Sequence, residues 1–350
     1  MQMHKSIAVN HGDLLQLAQQ LSLTEQAYSR AAELAGLTVS RDAWLRQIDR
    51  FLLSLGTLLI VSGIAAFFAW NWADLGHLTK FALIETGLVA AAALSWYFGI
   101  ESLAGKATLL ATALLTGVLL AVFGQIYQTG ADPYELFLTW SLLILPWTVI
   151  GRQAGLWIVL QLLLNLTLIL YYTQVLHPPS GWWQLTQLLG PLVWLSSTVM
   201  DSTLASYLFA LNLLALVVWE YASSRSIDWL QGRLFPRLFA FIALCTVLLP
   251  TLVIIVAASF EEQTGLSTAS PLLLFLATAG ALYYYQFRRH DLLILTCALF
   301  GAILVLTTFF IRHLGIDTGG LLLIAFLIIA QVAGGAWWLR RIAQSWEAET

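Results

Sequence analysis

Lys80 and Glu85 stand out first for chemistry in this 350-residue chain. Both fall inside the apolar run TKFALIETGLVAAAALSW, where a charge is costly and by default marks a functional site. Five residues at helical spacing set the two about 140° apart, so they do not share a face. Lys80 can reach the outer interface along its own apolar stem. Glu85 lies more than a turn deeper and calls for a partner from another helix, as an interhelical hydrogen bond or as a solute or proton site. A second polar group sits in GQIYQTGADPYELFLTWSLLILPW, from Gly124 to Trp147, where Gln125, Tyr127, Gln128, Thr129, Asp132, Tyr134 and Glu135 surround a Gly-Ala-Asp-Pro turn. A third lies in NWADL, with Asn71, Trp72 and Asp74. Together with Trp140, which also reads as a packing or belt residue, these groups make the candidate polar site. Its chemistry is binding: a surface that docks a partner, or an outer mouth that leads a small solute or lipid to Glu85. A structural reading competes at Asp132 and Glu135, because Asp132 can cap a helix whose first residue is Pro133.

Other chemistry finds no residues to carry it. The chain has no HExxH, GxSxG, Walker lysine loop or GxGxxG before a helix. The histidines His4, His11, His77, His177, His290 and His313 are scattered, and no pair has metal-ligand spacing. Cys245 and Cys297 both lie in apolar segments, so neither a disulfide framework nor a zinc site of two spaced pairs is available. The expectation is a protein that is not an enzyme and uses no metal or cofactor.

The elements that must position these residues are membrane helices. The chain is 59% hydrophobic and only 10% charged, against about 25% charged in soluble domains. This predicts an all-α fold, a polytopic transmembrane helix bundle of about ten, possibly eleven, spans. The spans fall near 51–70, 79–98, 107–126, 135–150, 155–173, 203–221, 236–258, 271–286, 291–311 and 319–339, and 183–199 is ambiguous. Before them, residues 1–50 read as a small cytoplasmic module of amphipathic helices. Ser22-Leu23-Thr24-Glu25 fits a capping box, Gly36 a stop, and Ser40 a cap for a helix that can run into the first span. The membrane region divides into a first part, 51–155, and a second, 156–342, followed by a short tail, 343–350. Ten crossings with a cytoplasmic N-terminus place Lys106, Arg152, Arg225, Arg233, Arg237, Arg288, Arg289, Arg340 and Arg341 inside, as the positive-inside rule asks. The C-terminus is then also cytoplasmic, and the candidate polar site faces outward. Gln161, Asn165, Asn212 and Gln331 read as interhelical glue. Glu220 reads as an ordinary charge near the end of its span. The expected partner is the lipid bilayer, and nothing suggests nucleic acid.

The stretch from Phe67 to Leu75, then Lys80-Phe81-Ala82 and Glu85, with Gln125-Ile126-Tyr127 through Trp140 and Leu145-Pro146-Trp147, resembles a bacterial family of multi-pass membrane proteins that carry a domain of unknown function. In that family an aromatic Asn-Trp-Asp-Leu junction precedes a Lys-Phe and Glu span. The resemblance covers residues 12 to 155, including the N-terminal helices up to Trp44. It implies a multi-pass protein of the bacterial inner membrane and brings no established activity. In some relatives a second membrane domain of unknown function follows, and a small anchored protein with a Gly-Asp-Tyr motif is encoded nearby. The resemblance therefore implies another membrane-anchored protein as a partner. Two functions follow as expectations. One is a non-catalytic scaffold or sensor that docks a partner at its outer polar surface. The other is a transporter or channel for a small solute or lipid, using Glu85 and the outer polar mouth.

Overall fold

A computed structural model describes residues 14, 17, 20–21, 23–34, 41–70, 76–127, 130, 132–176, 201–225, 227–257, 269–314 and 318–349. The described elements are helices, without a strand among them. In chain order they are α1 (Glu25–Leu34), α2 (Arg41–Trp70), α3 (His77–Phe98), α4 (Leu103–Tyr127), α5 (Pro133–Gly151), α6 (Ala154–Tyr171), α7 (Ser202–Ser223), α8 (Leu234–Ala257), α9 (Ala269–Phe287), α10 (Leu292–Leu314) and α11 (Thr318–Glu349). A π-helical turn, Tyr172–Leu176, extends α6, and a 3₁₀ turn, Asp228–Leu230, precedes α8.

The polytopic helical bundle expected from composition is the fold observed, and each of the ten expected spans corresponds to one helix from α2 to α11. Eight of these, α3 to α8, α10 and α11, are long and apolar enough to cross a membrane. Of the two helices outside the eight, α2 begins in the charged stretch from Arg41 to Arg50 and runs on without a break through the apolar residues Phe51 to Trp70. The other helix outside the eight, α9, ends in Tyr283, Tyr284, Tyr285 and Gln286. The ambiguous stretch 183–199 lies outside the described residues. At α1 the cap is Thr24, whose hydroxyl accepts from the Ala27 amide at 3.4 Å. That places the helix start two residues after the expected Ser22.

Short connections force antiparallel neighbours. In the first half α4 is central, packing against α2, α3 and α5. Its approach to α3 is closest at Gly105, where an added Cβ would lie 2.0 Å from the Gly99 carbonyl oxygen. Gly99 ends α3 with φ of 80°, a left-handed conformation that glycine adopts without strain. The Ser95 hydroxyl donates to the Gly105 carbonyl at 3.0 Å and completes this join. In the second half α8 is central, packing against α7, α9 and α10, and α11 packs on α10. The α6 helix links the halves by contacting α4 and α5 on one side and α7 and α8 on the other.

Polar glue holds α6 to α7, as its sequence pattern suggested. The Asn165 and Asn212 side chains exchange hydrogen bonds at 3.0 and 2.6 Å, and Gln161 donates to Asn212 Oδ1 at 3.3 Å. Asn212 is fully buried. Thr307 donates to Gln331 at 3.0 Å in the same way between α10 and α11. Asn212→Leu should destabilise the protein by about 1–2 kcal/mol, the scale of interhelical hydrogen bonds in membranes. Unfolding of the variant in lipid discs, compared with wild type, checks this.

Candidate functional site

The sequence-predicted polar residues are only partly gathered. Asn71, Trp72 and Asp74, with Gln128 and Thr129, lie outside the described residues. The start of α3 and the end of α4 do meet: the Phe81 ring stacks on Tyr127 with centroids 6.0 Å apart, and Phe123 lies 4.7 Å from Tyr127. Tyr127 and Gln125 are exposed at this end. Asp132 has the extended backbone of an N-cap and Pro133 follows it, as expected, but its side chain makes no capping hydrogen bond. Instead the Glu135 amide donates to the Asp132 backbone carbonyl at 2.9 Å. The Tyr134 hydroxyl reaches Glu135 at 3.4 Å, and its ring meets Tyr171 of α6 edge-on at 5.2 Å. The carboxylates of Asp132 and Glu135 are thereby left exposed.

Two of the expectations are redrawn by this geometry, at Lys80 and Glu85, and a third residue, Trp140, takes the packing role of its two readings. Lys80 is buried, 4% exposed, rather than extended to the interface. Trp140 is a packing residue: its indole N–H donates to the Ala113 carbonyl at 2.8 Å, and its ring lies where a side chain on Gly117 would have to go. Among the described residues Glu85 meets no partner helix. It is exposed on α3, without a hydrogen bond or ion pair among the described residues. The α3 helix is peripheral and leaves Leu78, Ala82, Glu85, Val89, Ala93 and Trp96 exposed. Their spacing of three or four residues sets them along one side of the helix, as in a seam where two helices pack.

The strongest cluster of charges in the structure lies elsewhere, at the end of the bundle where α7 stops and α8 begins. Arg233 Nη1 donates to Glu220 Oε1 at 2.9 Å and Arg233 Nε to Asp291 at 2.9 Å. Arg237 Nε donates to both Asp291 oxygens, at 3.2 and 3.0 Å. The Tyr285 hydroxyl donates to Glu220 Oε1 at 3.1 Å, and Arg289 sits 3.4 Å from Glu220 Oε2. Arg289 also donates to the Ser223 hydroxyl. Asp291 does a second job by accepting from the amides of Leu293 and Ile294, which caps α10. Burial pushes the Asp291 carboxyl up, but its bonds and charges from Arg237 and Arg233 outweigh this and hold it below the ordinary carboxylate value.

The sequence does not display this network, because membrane orientation alone accounts for its arginines. A signal was nevertheless present: Arg233 and Arg237 are one turn apart at a helix start, Asp291 directly precedes an apolar helix, and Glu220 falls within the apolar run of its own span. Its geometry is that of a clamp joining α7, α8 and α10. Groups of three or more His, Cys, Asp or Glu side chains able to hold a metal are absent among the described residues.

No curated protein and no solved structure matches the chain. Residues 15–157, the stretch that runs from the N-terminal helices through α5 to the start of α6, match the family model described as a predicted membrane protein (DUF2157), a domain of unknown function.

Proposed function

We propose that the protein is a non-catalytic membrane scaffold or sensor that docks a membrane-anchored partner along the outward side of α3 and α4. The observation that carries this reading is Glu85: a carboxylate exposed on a peripheral apolar helix, with no partner in its own chain among the described residues. A charge presented to hydrocarbon costs roughly 2.5–3.5 kcal/mol on insertion scales, a cost that pairing with a second helix offsets. The exposed seam around it has small residues, Ala82 and Ala93, that allow a close helix approach. Beyond the membrane, Gln125, Tyr127, Asp132 and Glu135 supply an exposed polar rim at the end where α3 begins. The partner that fits is therefore a transmembrane helix with a Lys, Arg or amide donor at mid-depth, followed by a short polar segment outside.

The orientation proposed with it has both termini in the cytoplasm of a bacterial inner membrane. Its support is the concentration of Lys106, Arg152, Arg225, Arg233, Arg237, Arg288, Arg289, Arg340 and Arg341 at one end of the bundle. In this arrangement the N-terminal helices report partner binding to the cytoplasm through the unbroken α2.

Native mass spectrometry on protein taken directly from its membrane into lipid discs tests the proposal. Wild type should carry a stoichiometric protein partner that Glu85→Gln loses, with equal expression and melting of the two forms. Isolation of wild type alone under these conditions, or equal retention by the variant, would refute the docking role.

A further inference from the structure

We infer that His290 is a proton-sensitive latch, fastening the end of α11 to the turn between α9 and α10 more tightly when its imidazole is charged. In this turn three consecutive residues each reach a different helix. Arg289 reaches α7, through the Glu220 carboxylate and the Ser223 hydroxyl. Asp291 reaches α8, through Arg233 and Arg237. His290, between them, reaches α11: its ring lies face to face with the Trp346 indole, with centroids 4.5 Å apart and an interplanar angle of 9°. The Trp346 indole is fixed in place by its N–H, which donates to the Gln286 carbonyl of α9 at 3.3 Å. One turn earlier on α11, Ile342 is buried in a cluster with Tyr285 of α9 and Ile294 and Leu295 of α10. The last turns of α11 are thus held by a buried aliphatic contact and, beyond it, by a stack that meets solvent, since His290 is exposed.

Of the three turn residues only the histidine is of a type that ordinarily changes charge between about pH 5 and 8. Arginine stays charged, and Asp291 is held as a carboxylate by Arg237 and Arg233. The face of an indole is negative, so an imidazolium laid flat on it gains a cation–π attraction that a neutral ring lacks. The surrounding charges leave that gain in place. On the α9 side Arg289 is matched by Glu220, which also takes the Tyr285 hydroxyl, while Arg288 is exposed and screened by solvent. On the α7 and α8 side Glu220 and Asp291 stand against Arg233 and Arg237. On α11, Arg340 is exposed and Arg341 lies over the Trp337 ring, 5.4 Å from its centroid. Five residues separate Arg341 from Trp346, about 140° round the helix. Glu347 and Glu349 follow Trp346 in the sequence and add negative charge at this end.

Hydrogen exchange of the full-length protein in lipid discs tests this, read on the amides of Ala343 to Glu349 at about pH 5.5 and about pH 8 after correction for the intrinsic rates. In wild type these amides should be protected about two- to fivefold more at the lower pH, the scale of one exposed cation–π contact. His290→Phe keeps an aromatic ring that cannot take a proton, so its protection should be the same at both values. His290→Gln removes the stack and should leave the amides less protected throughout, again without pH dependence. His290 is exposed, so both variants should fold and melt as wild type does. Wild-type protection that is equal at the two values, or weaker at the lower one, would overturn the inference. A pH dependence that survives in His290→Phe would overturn it too, by assigning the proton to another group.

Discussion

Asp291→Ala is expected to lower the unfolding free energy by about 3–5 kcal/mol, the loss that follows when one member of a buried ion pair is removed and its partners stay charged. The network makes this a sensitive polar position. Asp291 is 1% exposed and takes hydrogen bonds from Arg233 and Arg237. The truncation also strips the cap of α10, worth about 1 kcal/mol. Asp291→Asn retains an acceptor for the Leu293 and Ile294 amides and should lose less, so the difference between the two variants separates the cap from the charge. The same residue sets a pH dependence. Its folded pKa is depressed, so its stabilising effect is fully present above the unfolded value of about 3.9 and disappears as pH falls through the lower folded value. Melting curves in discs should show no pH-dependent change from this group between pH 7 and 5 and a decline below about 4. The decline should be shallower in Asp291→Asn.

Gly105→Ala should be the most damaging single-methyl insertion, at the upper end of the roughly 1–3 kcal/mol seen for overpacking. The added carbon would meet the Gly99 carbonyl oxygen at 2.0 Å and its carbon at 2.8 Å. These are backbone atoms of the left-handed turn that ends α3, so no rotamer change relieves the clash and the α3–α4 hairpin must open. Gly124→Ala is the matched control on the same helix, since a Cβ there meets nothing within 4 Å. That variant should be neutral or gain up to about 1 kcal/mol from helix propensity. Equal melting of the two alanine variants would disprove the close approach.

What could be read from the sequence follows the physics of each signal. Span positions were legible because hydrocarbon demands long apolar helices whatever the neighbours, and α2 through α11 fall where the apolar runs are. The Asn165–Asn212 pair was legible for a related reason: an amide inside an apolar helix seeks another amide. The charge clamp was not, because Arg233, Arg237 and Arg289 serve orientation and packing at once, and the sequence displays only the first. Glu85 illustrates the opposite limit. Its cost in a membrane is plain from its neighbours, yet which side of α3 faces the bundle depends on how α4 packs, and α4 turns Ile84 rather than Glu85 inward. Lys80 follows the same rule, being drawn into the bundle where a free stem would carry it outward.

Site-directed photo-crosslinking along α3 tests the docking surface most directly, with the reactive side chain placed in turn at Ala82 and Val89, which flank Glu85 on the exposed seam, and at Ile84, which is buried. The account predicts a single protein adduct of constant mass from Ala82 and Val89 in intact cells, lost when Glu85→Gln is added and absent from Ile84. Lipid adducts alone at Ala82 and Val89, or a protein adduct unchanged by Glu85→Gln, would contradict it.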